Sequence, residues 1–222
     1  MTATDSTDAK RIFIAVNAEV EPLRKVMDAQ LSMRALARSR GLKITWVPAA
    51  NFHVTVRFLG AVPAEVPGAL RVMLRERLVD RRPFSFGLAG VGAFPAADKP
   101  RILWAGVEDG SGELARLASD VEGWVRELGF AADERPFRPH LTIGRVKEGG
   151  TAADLLAPHQ SKSFGVSTVH EVVIYESRAQ AQGVEYHALG RVGLGHGQRI
   201  DWPVSPAWLP GQPGVATEQS DD

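Results

Sequence analysis

Two short segments of the chain share a pattern of residues that could carry out acid–base chemistry. Residues 53–56 read His-Val-Thr-Val, and residues 140–143 read His-Leu-Thr-Ile. In an extended strand, residues two apart point to the same face, so each segment presents an imidazole beside a hydroxyl and turns its apolar residues away. An unperturbed imidazole titrates near neutral pH, so one ring can take a proton while another gives one. Two such strands brought together would suit acid–base chemistry on a phosphate.

The repetition of the pattern separates His53 and His140 from the other histidines of the chain. A single histidine is more often an ordinary surface or core residue. We expect this of the remaining four, which are His159, His170, His187 and His196. Beside the motif histidines, Thr55 and Thr142 can donate hydrogen bonds to non-bridging phosphate oxygens and hold a phosphorus between the rings. Threonine in a strand is otherwise only good β-propensity, so its predicted role depends on the pairing with histidine.

Rival chemistries lack their own sequence motifs. A catalytic zinc site usually needs three protein ligands, yet the chain has no His-Glu-x-x-His sequence, and neither motif contains Asp or Glu. A serine hydrolase elbow and both glycine-rich nucleotide loops are absent as well. The chain has no cysteine, which excludes thiolate nucleophiles and disulfides. We therefore expect neither a metal nor a cofactor.

Composition and charge narrow the class of partner. The chain has 222 residues, of which 44% are hydrophobic, and its 26 basic residues balance its 26 acidic ones. A wide landing surface for long nucleic acid usually shows as a basic excess, so a small or terminal anionic substrate fits better. No apolar run approaches the roughly 20 residues that span a bilayer, and the N-terminus lacks an apolar signal segment. We predict a cytoplasmic protein without a membrane partner, and favour a monomer.

Hydrophobic periodicity predicts three long helices and about eight or nine strands. The helices are expected over about residues 22–40, from residue 63 or 67 through 78, and over 112–128, with a short helix after residue 151. The predicted strands cover about residues 11–17, 44–47, 52–59, 84–88, 101–107, the segment from 140, 171–176 and 184–192, with a loop over 92–100. Strands often follow strands, which favours a mixed or antiparallel α+β architecture. The motif histidines lie 87 residues apart, which indicates two related lobes, each with a helix, a strand and a motif strand.

The two motifs are embedded in longer segments that resemble a known family. The signatures extend over residues 46–60 and 137–145, and further similar segments are residues 11–15, 100–107, 174–178 and 183–186. Together they resemble the two-histidine phosphoesterases, and within them the bacterial and archaeal RNA 2′,3′-cyclic phosphodiesterases of the 2′-5′ RNA ligase family. The resemblance implies a bilobal α+β fold with pseudo-twofold symmetry, in which two mostly antiparallel sheets flanked by helices surround a central cleft. It covers a single domain of residues 11–193, between a disordered N-terminus (1–10) and a mobile tail (194–222).

The resemblance also implies a reaction and roles for the histidines. The substrate would be RNA with a 2′,3′-cyclic phosphate end, or a small cyclic nucleotide, opened to a 2′-phosphate. His53 would be the proton donor and His140 the proton acceptor. The two motifs are nearly symmetric, so the direction of proton transfer rests on the resemblance alone. Reversible 2′-5′ joining of RNA ends, or a binding module that does not turn over, stay open as alternatives.

Two further positions are candidates for substrate binding. Arg145 lies five residues after His140, where the family has an arginine that meets phosphate. Strict alternation would turn Arg145 to the opposite face, so a bend must redirect it. Phe58 holds the equivalent place after His53, and it either stacks on a base or belongs to the core.

Overall fold

The computed structural model describes residues 9–110, 112–180 and 183–195. Its elements are, in order, β1 (Lys10–Val16), α1 (Val20–Ser39), β2 (Lys43–Trp46), β3 (Val54–Val62), α2 (Val66–Leu78), β4 (Phe84–Phe94), β5 (Ile102–Glu108), α3 (Glu113–Glu127), β6 (His140–Glu148), α4 (Ala153–Leu156), β7 (Ser163–Val169), β8 (Glu171–Gln180) and β9 (Gly183–Gly193). Of the predicted terminal segments, residues 1–8 and 196–222 lie outside the described residues. The predicted terminal segments are slightly too long, because Lys10 already belongs to β1 and Leu194 is buried in the core.

The strands form an antiparallel sheet in which the two motif strands are neighbours. Its order is β7-β4-β5-β6-β3-β1-β8-β9, and β2 pairs with residues 144–148 of β6, beyond the point where β6 meets β3. Strands β3 and β6 meet at a single residue pair, Val54 with Leu141. The predicted α+β class is confirmed, and the two predicted sheets are joined into one by this pair and by the pairing of β2 with β6. Helix α2 packs on β8 and β9, while α3 packs on β3 and β4.

The two halves of the sheet have related topologies. In one half the chain runs from β1 through α1 to β3, with β2 in between, and β1 pairs antiparallel with β3. In the other half β5, α3 and β6 follow each other, and β5 pairs antiparallel with β6. The repeated unit is therefore a strand, a helix and a motif strand. The predicted strand between helix and motif strand exists only in the first copy, as β2, and it pairs with β6 of the other half.

The helices expose one polar face and bury one apolar face. The buried apolar residues recur every three or four positions, as an amphipathic helix requires. In α1 the buried apolar stripe includes Val26, Ala29, Met33 and Ala37, whereas Leu31 is 50% exposed. Among the described residues, no helix is long and apolar enough to cross a membrane.

The sequence pattern did not delimit two of the strands, and glycines explain one of them. Strand β4 continues past its predicted end at residue 88 into the first residues of the predicted loop, up to Phe94, and β7 was not predicted at all. Both segments contain glycines, which lower β-propensity, but two of these glycines permit close contacts. A Cβ on Gly90, whose φ is +66°, would lie 2.6 Å from the Gln160 carbonyl oxygen, and one on Gly92 would lie 2.2 Å from the Trp104 ring. The glycines are therefore part of the strand packing.

A buried amide fixes the second motif strand to helix α1. Gln30 is 2% exposed, and its Nε2 donates to the carbonyl oxygens of Val47 and Ile143, at 2.7 and 2.8 Å. Ile143 is the last residue of the second motif. Because a buried carbonyl without a donor is costly, the Gln30 side chain holds β6 at a defined distance from α1.

Replacing Gln30 by methionine should therefore destabilise the protein. The variant Gln30→Met keeps the side-chain length but removes both donated hydrogen bonds. The Ile143 carbonyl oxygen still accepts from the Val47 backbone N–H at 3.1 Å, so we expect the free energy of unfolding to fall by about 1–3 kcal/mol. Urea unfolding followed by circular dichroism measures this change. The exposed Gln160→Met serves as the matched control and should stay within about 0.5 kcal/mol of the parent. Equal stabilities of the two variants would contradict this account of Gln30.

Candidate active site

The register between β3 and β6 brings both motifs to one place. Val54 and Leu141 are paired and fully buried. Extending this antiparallel register by one residue in each direction sets His53 opposite Thr142 and Thr55 opposite His140. All four side chains lie on the face opposite to the buried pair, because strand residues alternate. Diagonal neighbours across such a pair are roughly 7–8 Å apart, which leaves room for a phosphate between the two imidazoles.

Each imidazole is anchored to the backbone in the same way. Nδ1 of His53 donates to the Asn51 carbonyl oxygen at 2.8 Å, and Nδ1 of His140 donates to the Arg138 carbonyl oxygen at 2.7 Å. A carbonyl only accepts, so each Nδ1 carries the proton and each Nε2 is left as the reactive nitrogen. The segment before each motif therefore sets both the tautomer and the ring orientation.

The two reactive nitrogens differ in their contacts. Nε2 of His53 lies 3.0 Å from Thr55 Oγ1, and with Nδ1 protonated the hydroxyl must donate to it. Within the part of the chain that the structure describes, Nε2 of His140 has no protein hydrogen-bond partner. The second imidazole is thus free to bind a water or a substrate oxygen directly.

The pKa of His53 is lowered to about 4. Desolvation by burial is the largest cause, and the positive charges of His140 and Arg145 lower it further, while the hydrogen bond to the Asn51 carbonyl opposes them. At neutral pH this imidazole is therefore uncharged unless an anion lies beside it. The same interactions show that His140 and Arg145 lie close enough to His53 to act on it.

A β-bulge follows the threonine in each motif strand. Thr55 and Arg57 pair with adjacent residues of β1, so one step on β1 matches two on β3. Thr142 and Gly144 likewise pair with adjacent residues of β5. An extra residue in one strand reverses the alternation of faces from that point on. The sequence predicts a bend before Arg145. The structure shows this bend as a β-bulge, and the same kind of bulge precedes Phe58 in the first motif strand.

The bulges turn Phe58 and Arg145 to the same face as the histidines. Arg145 is exposed and its charge lowers the pKa of His53. Phe58 is 36% exposed, its ring stacks at 6.4 Å on that of Phe13, and the Arg11 guanidinium lies 5.5 Å above it. Phe58 is thus a surface ring at the rim of the site rather than a core residue.

An arginine whose side chain is only 10% exposed holds the first bulge. The side chain of Arg57 donates to the carbonyl oxygens of Phe58 and Ala131 at 2.7 and 2.6 Å, and its Nε lies 2.5 Å from Glu122. These contacts tie β3 to α3 and to the segment before the second motif. Arg57 therefore has a positioning role, for which the sequence pattern gave no prediction.

Aromatic rings that the sequence analysis did not select surround His53. Phe13 lies 4.8 Å from the imidazole, Tyr186 approaches it edge-on at 5.1 Å, and Tyr175 lies at 6.1 Å. The Tyr175 hydroxyl exchanges two hydrogen bonds with Asn17, and burial raises the pKa of this tyrosine. The chain has only two tyrosines, and both lie beside His53. Both lie in segments that resemble the family, residues 174–178 and 183–186, and this was the available sequence signal.

The surroundings of His140 are more open. Phe94 meets the imidazole edge-on at 5.1 Å and lies 5.4 Å from Trp104. Of the histidines expected to be ordinary, His159 is buried and His187 pairs with Glu185 at 3.1 Å, whereas His196 lies outside the described residues. Among the described residues, no three His, Cys, Asp or Glu side chains come together as a potential metal site.

Comparison with known proteins identifies relatives along most of the chain. The model of the 2′-5′ RNA ligase superfamily matches residues 15–181. The chain is 36% identical over 180 residues to an RNA 2′,3′-cyclic phosphodiesterase of Archaeoglobus fulgidus, covering 81% of this chain and 97% of the relative. It is 32% identical over 163 residues to the protein of the same name from Aeropyrum pernix, covering 72% and 92%.

Solved structures resemble the fold. The protein TT0787 of Thermus thermophilus is 28% identical, with a TM-score of 0.70 over 84% of this chain and 100% of that chain. E. coli LigT in its apo form is 24% identical, with a TM-score of 0.68 over 85% and 99%. The likeness to LigT concerns the fold alone.

The lowered pKa of His53 predicts a pH dependence of stability. The folded value of about 4 lies below the unfolded value near 6.5, so between these pH values the unfolded chain binds more protons. The stability that comes from neutral His53 is complete above pH 6.5 and is lost as the pH falls towards 4. The variant His53→Asn can still donate to the Asn51 carbonyl but does not titrate. We measure the free energy of unfolding in urea between about pH 4 and 7.5. As the pH falls, this free energy should decrease less steeply in His53→Asn than in the parent, by about 1.4 kcal/mol per pH unit at most. Identical slopes would contradict the lowered pKa.

Proposed function

This chain belongs to the 2′-5′ RNA ligase superfamily, and on that premise we propose that it opens the terminal 2′,3′-cyclic phosphate of RNA to a 2′-phosphomonoester. The observation that carries the proposal is the pairing of Val54 with Leu141, which directs two histidines and two threonines to one face. The names of the relatives from Archaeoglobus fulgidus and Aeropyrum pernix support the substrate class.

The proposed reaction is a single displacement at phosphorus by water. His140 accepts a proton from the attacking water through Nε2, and the water oxygen forms a bond to phosphorus. The bond between phosphorus and the 3′ oxygen breaks, and His53 donates a proton from Nε2 to that oxygen. The products are a 2′-phosphate and a 3′-hydroxyl, and exchange with solvent restores the two imidazoles. The step needs no metal and no cofactor.

The substrate itself supplies the condition for His53 to act as donor. With a pKa of about 4, this imidazole is neutral at neutral pH before substrate arrives. A phosphodiester anion next to the ring favours the charged form, and the new proton sits on Nε2 because Nδ1 is already bonded to the Asn51 carbonyl. The donor therefore becomes charged together with substrate binding.

Four further side chains complete the proposed site. Thr55, Thr142 and Arg145 donate hydrogen bonds to the non-bridging phosphate oxygens, where negative charge is concentrated. For Thr55 this requires its hydroxyl to leave Nε2 of His53, which becomes possible once that nitrogen is protonated. Phe58 offers an exposed ring on which the terminal base can stack.

The first test is the loss of activity in histidine variants without added metal. We expect the parent protein to open a 2′,3′-cyclic-ended oligonucleotide to a 2′-phosphate in EDTA. His53→Ala and His140→Ala should each lose about 10²–10⁴-fold in kcat/KM, which is the usual contribution of one proton transfer. Product mapping by mass spectrometry and phosphatase treatment identifies the phosphate position. His170→Ala, with its imidazole outside the site, is the control and should stay fully active.

Three results would reject the proposal. They are loss of activity in EDTA that added metal restores, full activity in either site variant, and exclusive formation of the 3′-phosphate. Circular dichroism shows whether a variant that loses activity is still folded.

A second test separates the proton donor from the acceptor. A p-nitrophenyl phosphodiester has a leaving group that departs without a proton, so the donor matters little on this substrate. With His53 as donor, we expect His53→Ala to lose less than about tenfold on the aryl ester, while His140→Ala loses about 10²–10⁴-fold on both substrates. The opposite pattern would assign the roles the other way round.

A further inference from the structure

A basic groove lies between helix α1 and edge strand β2, outside the site described above. Its cavity has a volume of about 440 Å³. Four of its lining side chains are cations: Arg34 and Arg38 from α1, Lys43 from β2, and Lys147 from β6. In a chain whose net charge is zero, this is a local concentration of positive charge.

Most of this charge is not neutralised by the protein. Lys43 pairs with Glu148 at 2.5 Å. Arg34, Arg38 and Lys147 form no ion pair with any carboxylate of the described ranges. Arg38 and Lys147 are exposed, so both can reach a ligand.

The arrangement of Arg34 is unfavourable without an anion. Its Nε is buried without a hydrogen-bond partner among the described residues, and its NH2 group donates to Gln30 at 3.2 Å. Burial and the charge of Arg38, one helical turn away, both lower the pKa of Arg34. Like charges four residues apart destabilise a helix, so these two arginines oppose the stability of α1. The Trp46 ring lies 5.7 Å from the Arg34 guanidinium, which adds an aromatic surface to the groove.

The groove begins one strand away from the proposed phosphate site. Thr45, a lining residue, pairs directly with Arg145, and paired residues of neighbouring strands are about 5 Å apart. Gly144, next to Arg145, faces the other side of the sheet, where a Cβ on it would meet Ile44 and Trp46 of the groove. Because β2 pairs only with β6 among the described strands, a ligand that contacts Arg145 reaches the groove by passing over the free edge of β2. The cyclic phosphate occupies the 3′ end of an RNA strand, so the nucleotides that continue from it all lie on its 5′ side.

We propose that this groove binds backbone phosphates of single-stranded RNA on the 5′ side of the cyclic end. The inference rests on the proposed function, because it takes the strand in the groove to be the substrate whose end lies between His53 and His140. The groove distinguishes oligonucleotides from cyclic mononucleotides, which are too short to reach it. It acts on substrate affinity and leaves the chemistry at phosphorus unchanged.

The experiment compares a short and a long substrate in a groove variant. Arg38→Gln/Lys147→Gln removes two exposed charges and keeps the partly buried Arg34. Its matched control, Arg71→Gln/Arg75→Gln, removes two exposed charges from α2. For each protein, kcat/KM is measured on a 2′,3′-cyclic mononucleotide and on a ten-nucleotide RNA with a cyclic end, over a range of NaCl concentrations.

On the cyclic mononucleotide, we expect kcat/KM of the groove variant to stay within about twofold of the parent. On the oligonucleotide at low salt, we expect its kcat/KM to fall about tenfold. Two lost phosphate contacts should also make the slope of log kcat/KM against log salt shallower by about 1.4, at about 0.7 per contact. The α2 control should behave like the parent on both substrates. The proposal is rejected if kcat/KM of the groove variant falls equally on both substrates or falls on neither. It is also rejected if the parent does not prefer the ten-nucleotide RNA to the cyclic mononucleotide.

A binding measurement keeps this test separate from the proposed activity. Fluorescence anisotropy of a labelled ten-nucleotide RNA with a terminal 2′-phosphate reports affinity without turnover. If the parent opens no cyclic phosphate, the proposed function fails. Weaker binding by the groove variant than by the α2 control would then still support the groove, and equal binding would reject it.

Discussion

The contact between the two motif strands is the constraint on which the rest of the structure depends. Strands β3 and β6 touch at one residue pair, Val54 with Leu141. That pair is buried, so its neighbours along each strand must face the other side of the sheet. This one hydrophobic contact collects the imidazoles and hydroxyls from both halves, which the pairing of β2 with β6 also joins. Since the halves have related topologies, the resulting site is nearly symmetric about this pair.

The symmetry is broken by the surroundings of the two histidines. Aromatic rings from β1, β8 and β9 enclose His53 and remove water from it, which explains its low pKa. His140 has one aromatic neighbour of this kind, Phe94, and an Nε2 without a partner among the described residues. A desolvated imidazole that gains its proton only beside an anion and an open imidazole that can bind water are suited to different halves of one reaction. The proposed division of roles follows from this difference.

Rigid supports outside the site hold this geometry. Arg57 links the first bulge to α3, and Gln30 links the end of the second motif to α1. Gln30 also accepts a hydrogen bond from Arg34 of the basic groove. The strand that carries Arg145 and the cations that we assign to RNA binding therefore share one buried amide. Substrate contacts in the groove and at the phosphate would be carried by the same connected set of side chains.

The sequence by itself determined which residues share a face and where most elements lie. The side-by-side placement of His53 with Thr55 and of His140 with Thr142 follows from strand alternation, which is a local property of the backbone. Proline and glycine likewise set most helix limits. The full length of β4 escaped this reasoning, because its glycines Gly90 and Gly92 serve contacts with the distant residues Gln160 and Trp104.

Only the tertiary structure decided what the two motifs meet. The contact of the two motif strands, the pairing of β2 with the opposite half, the aromatic rings around His53 and the groove beside β2 all depend on residues far apart in the chain. The sequence required a bend before Arg145 but could not say what it was, because a bulge is defined by the partner strand's register. Alternation along a strand is a property of one segment, whereas register, burial and pKa are properties of the segments packed against it.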